Sequence, residues 1–125
     1  MKRYTSRMSL DYSQEKAYKT LVTLGSMEAE LGERLQAACL EGFLTLADHA
    51  RSDATLFSAG LASEIVALEE ALTRTQSSDG QGSLQATISQ MELSEQDAAA
   101  TRMIGLCVEV MQMQGPHSWQ LGEGR

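Results

Sequence analysis

Apolar residues recur every three or four positions through most of this chain. From about Ser13 the stripe reads Ala17, Tyr18, Leu21, Leu24, Met27, Leu31, Leu35, Ala38, Cys39, Gly42, Phe43, Leu46 and Ala50. That spacing is the period of an α-helix with one buried face. The phase does not change at Gly25-Ser26, so the expectation is a single first helix of about 37 residues, roughly 55 Å long. Two helices meeting near Gly25 are the alternative. Gly25, Gly32 and Gly42 each cost about 1 kcal/mol of helix propensity relative to alanine. On or beside an apolar stripe they read either as points of close helix–helix approach or as tolerated positions.

Arg51-Ser52-Asp53 ends this pattern, with Ser52 or Asp53 suited to cap the next helix. Phe57, Leu61, Ile65, Leu68 and Leu72 form its stripe, which should run to about Thr75. Ser77 to Gly82 is a loop by composition. Ser83 can cap a short helix carrying Leu84, Ile88 and Met91. Ser94 starts a last helix whose inward residues are Ala99, Met103, Leu106, Cys107, Val110 and Met113. Gly115 and the single proline, Pro116, end it. Strand-like alternation and internal repeats are both missing from the sequence. The fold expected is all-α: an antiparallel bundle of three to five helices with one long N-terminal helix as an option. Residues 1–12 read as a basic flexible arm, 13–115 as the bundle and 116–125 as a tail.

Composition narrows the class. A chain of 125 residues fits one domain. With 42% hydrophobic and 22% charged residues it can hold a core. Only 5% are aromatic, so that core is built from Leu, Ala, Met, Val and Ile. The net charge is −7. Residues 1–19 carry five cations against Asp11 and Glu15, a balance of +3, which leaves −10 for the remainder. An acidic body argues against nucleic acid as the main partner. No apolar run is long enough to span a membrane, and no secretory leader is legible. Cys39 and Cys107 both fall on apolar helical stretches; one disulfide is geometrically possible, but buried free thiols in a cytoplasmic protein are expected.

Residues 37–72 have a cadence that resembles histidine phosphotransfer domains, which are acidic helical bundles of this size. His49 is followed eleven residues later by Gly60, then by Leu61, Leu68, Glu69 and Leu72. Where that family places leucine, lysine and glycine two, three and four residues after its histidine, this chain has Arg51, Ser52 and Asp53. The resemblance implies a phosphoacceptor role for His49. The residues themselves also support a structural reading, a histidine near a helix C-terminus.

Other chemistry finds little support in the sequence. Met103, Cys107 and Met111, at i, i+4 and i+8 with His117 beyond, form a soft-metal alternative suited to Cu(I), against a reading as core filler. Zinc and di-iron spacings are missing, as are a nucleophile motif and a P-loop. No enzyme activity, metal or cofactor is therefore expected. The favoured reading is a protein-binding bundle, an adaptor, chaperone, inhibitor or assembly subunit, acting on a protein partner or as a homodimer. Met111, Met113, Trp119 and Leu121 are its candidate contact residues. A helix of 55 Å would overhang a domain whose radius of gyration is about 14 Å, and that overhang is the argument for a dimer.

Overall fold

The computed structural model describes residues 9–76 and 82–113, and these form an all-α bundle with no strand among them. Helix α1 spans Leu10–Ser26. The Ser9 hydroxyl accepts from the Tyr12 amide and caps the helix start. Residues 10–12 thus belong to the bundle rather than to the N-terminal arm.

The single long first helix is not formed. Met27 leaves helical geometry with ψ 131°. The chain crosses to Glu30, and a new helix runs back along α1. It comprises α2 (Leu31–Ala38), a π-helical turn (Cys39–Phe43) and α3 (Leu44–Ser52), without interruption. The break falls just past Gly25, whose Cα faces open space. The stripe keeps its phase because the loop, Met27 to Glu30, is close in length to one helical turn. A helix end leaves carbonyls without partners. Here the Arg34 guanidinium donates to the Leu24 carbonyl at 2.9 Å and to the Ala29 carbonyl at 3.0 Å, closing the turn. That side chain comes from the following helix, so nothing local in the sequence signals it.

The π turn has an equally specific cause. The Leu44 amide bonds the Cys39 carbonyl, five residues back. Gly42 sits there, fully against α1. A Cβ on Gly42 would lie 2.3 Å from the Lys16 carbonyl oxygen and 2.6 Å from Thr20 Oγ1. Gly42 is therefore a point of close approach, whereas Gly25 is only tolerated. Gly32 meets the flexible end of Gln96 and is intermediate between the two.

Asp53 caps a 3₁₀ turn, Ala54–Leu56, by accepting from the Thr55 amide. Helix α4 (Ala59–Leu72) follows and buries Leu61, Ile65, Leu68 and Leu72, with Phe57 just before it. Helix α5 (Ser83–Ser89) is short, and Gly82 rather than Ser83 is its cap residue. Helix α6 (Leu93–Gln112) has its cap at Glu92, two residues before the serine expected to cap it. Glu92 and Glu95 form its capping box instead, each side chain bonded to the other's backbone amide. The Gly115-Pro116 stop lies outside the described residues.

α1 and α6 pack antiparallel, with Gln14 near Val110 and Leu24 near Ala100, and α6 also contacts α4. Gln14 of α1 donates to the carbonyls of Val110, Met111 and Met113, capping the C-terminus of α6 from across the bundle. The core contains Leu35, Phe43, Leu46, Ile65, Met103 and Val110, all with no exposed surface. Two residues of the predicted stripe lie outside it: Tyr18 is 57% exposed and Met27 is 41% exposed. No helix among the described residues is long and apolar enough to cross a membrane.

Candidate binding surface

Three places in the bundle hold polar or unpartnered chemistry: the surroundings of His49, the two thiols, and the outer seam between α1 and α6.

His49 lies on α3 facing α1 and is buried. Its Nδ1 hydrogen-bonds the buried Ser13 hydroxyl at 2.7 Å. Its ring stands 5.2 Å from the Tyr12 ring, tilted at 39°, and the Lys16 ammonium lies 5.3 Å from the Tyr12 centroid. Burial lowers the imidazole pKa below its ordinary 6.5, with Lys16 adding to the effect and Asp48 opposing it. A phosphoacceptor imidazole must meet a donor protein in solvent. This one is enclosed and already hydrogen-bonded, so its surroundings suit a neutral, structural histidine that ties α3 to α1.

Cys39 and Cys107 are buried free thiols. Burial pushes each thiol up to about 12, and the Thr20 hydroxyl partly offsets this at Cys107. A thiol so held resists the deprotonation that metal binding needs. Met103, one turn before Cys107, has no exposed surface, while Met111, one turn after, is 39% exposed. The three residues proposed for a soft metal thus differ in burial, two enclosed in the core and one at the surface, and His117 lies outside the described residues. No cluster of three or more His, Cys, Asp or Glu residues able to hold a metal occurs among the described residues.

The α1–α6 seam is different. On α6, Ile104, Val108 and Met111 are exposed at helical spacing along one side. On α1, Tyr18 and Val22 are exposed one turn apart. The two helices are in contact, and Ile104 of the α6 row lines a common groove with Leu21 and Leu24 of α1. At one end the seam deepens into an open groove of about 470 Å³. Leu21, Leu24 and Gly25 of α1, Leu31 of α2, and Ala100, Thr101 and Ile104 of α6 line it, with Arg34 and Asp97 at its polar edge. Soluble monomers rarely leave so many large apolar side chains adjoining an apolar groove.

Of the predicted contact residues, Met111 belongs to this seam. Met113 is partly buried against the core, and Trp119 and Leu121 lie outside the described residues. The remaining seam residues are Tyr18, which the helical stripe assigns to the core, and Val22, Ile104 and Val108. A signal for Ile104 and Val108 exists in the sequence: they add a second apolar row to a helix that already has a complete inward one. Comparisons with protein-family models, with curated proteins and with solved structures return no match.

Proposed function

We propose that this chain is a non-enzymatic helical bundle that binds another protein through the α1–α6 seam. The observation that carries the reading is the exposed apolar row Tyr18, Val22, Ile104, Val108 and Met111 adjoining the groove between the same two helices. Interfaces of this kind bury an apolar centre inside a polar rim. Elsewhere the surface carries exposed pairs such as Lys19–Glu15 and Arg102–Glu64, together with two exposed leucines, Leu40 and Leu93. A second copy of the chain is one candidate partner. The seam, rather than a helix overhang, is where it would dock. Two free buried thiols fit a reducing compartment, and we place the chain in the cytoplasm.

Photo-crosslinking in the native cell tests the reading. A photoreactive residue at Ile104 or Val108 is expected to capture a discrete protein adduct. The same residue at the exposed Ala67 of α4 is the control. Equal adducts at all three positions, or none at the seam, would count against it.

A further inference from the structure

We infer that the groove at the end of the α1–α6 seam takes a basic amphipathic helix of a partner protein. This rests on the seam being a docking face, and it names the chemistry of the occupant. The apolar floor is Leu21, Leu24, Leu31, Ala100 and Ile104. It suits a row of aliphatic side chains at i, i+3 and i+4 intervals, the pattern a partner helix lays into a groove.

The carboxylates of the adjoining chain segments supply the sign of charge. Glu28 and Glu30 sit in the loop joining α1 and α2, and Glu33 stands in the first turn of α2. Asp97 lines the groove itself from the first turns of α6. All four are exposed, and no ion pair among the described residues engages any of them. Glu92 and Glu95, also at this end, are already held in the capping box of α6. The only basic residue between Lys19 and Arg51 is Arg34, and its guanidinium is turned inward onto the Leu24 and Ala29 carbonyls. Asp97 in the lining, with Glu28, Glu30 and Glu33 close by in the chain and unpaired among the described residues, disfavours an acidic or anionic occupant and favours lysine and arginine flanking an apolar row.

The test uses the full chain, isotope-labelled for amide spectra, and three synthetic helical peptides of about 16 residues, long enough to lie along α1. All three carry the same leucine row, with lysine, glutamine or glutamate at the polar positions. The lysine peptide is expected to shift amides of Leu21–Leu31 and Asp97–Ile104. It should bind about tenfold tighter than the glutamine peptide at about 50 mM salt, with the advantage shrinking at high salt. A chain carrying Glu28→Gln, Glu30→Gln, Glu33→Gln and Asp97→Asn should lose that preference while keeping its fold and its affinity for the glutamine peptide. Equal binding of the lysine and glutamine peptides would overturn the basic assignment and leave the docking face standing. No shift at the seam with any peptide would overturn both. Light scattering that shows the peptides displacing a second copy would assign the groove to self-association instead, as would tight binding only after removal of residues 114–125 assign it to the chain's own tail. Either result overturns the inference.

Discussion

Gly42 packs against the Lys16 carbonyl so closely that a single added carbon would stand 2.3 Å from that oxygen. The obstacle is backbone, with the Thr20 hydroxyl 2.6 Å away on the same side, and Thr20 is itself bonded to the Lys16 carbonyl at 2.8 Å. The helix carrying Gly42 cannot shift without dragging the π turn away from α1. Gly42→Ala should therefore destabilise the fold by at least about 3 kcal/mol, the upper range of overpacking costs. Gly105→Ala, on the open outer face of α6, should stabilise by up to about 1 kcal/mol from helix propensity alone. Urea unfolding of the two variants beside the parent checks both signs.

Arg34 acts as a cap in the structure, bridging the carbonyl ends of α1 and the loop. Arg34→Ala should lower stability by about 2 kcal/mol, within the range for hydrogen bonds to a charged group. Arg34→Lys should recover little, because one ammonium cannot reproduce the two-armed contact. Thermal unfolding measured on the three chains decides this.

The pH dependence of stability has a definite sign at His49. The folded pKa lies below the unfolded value of 6.5 because the ring is desolvated. Below 6.5 the unfolded chain takes up a proton that the folded chain resists. The contribution is complete above 6.5 and is lost as pH falls from 6.5 toward the folded pKa. Between pH 8 and pH 5 the parent should lose more stability than His49→Gln, which has no proton to gain. Parallel pH profiles in chemical denaturation would contradict this.

The fold class was legible because helix periodicity survives without homologues: Phe57 to Leu72 and Ala99 to Val110 face inward as their spacing implies. The hairpin at Met27–Glu30 was not. A four-residue loop hides inside a helical stripe, and its cap, Arg34, lies beyond it in sequence. Gln14 on the α6 carbonyls and Gln96 on those of Ile88 and Met91 are equally silent, since each cap is supplied by a different helix. The seam is legible at Met111 and, as a second apolar row on α6, at Ile104 and Val108. Tyr18 scans as core because its neighbour Ala17 does, and only packing separates the two.

Both thiols should be inert in the folded protein. With each pushed up to about 12, almost no thiolate exists at pH 8. A chromogenic disulfide reagent should find neither thiol in the native chain and both in denaturant. Rapid native labelling at either position would show that the core opens around Cys39 or Cys107.

The seam itself is tested most directly by the dissociation constant of the protein captured at Ile104, measured for the parent and for Ile104→Asp. The side chain is 44% exposed, so the substitution should leave folding intact while placing a charge in the centre of the interface. Binding is expected to weaken about 30-fold, the loss of roughly 2 kcal/mol typical of a central contact. An unchanged dissociation constant would contradict the α1–α6 seam as the docking surface.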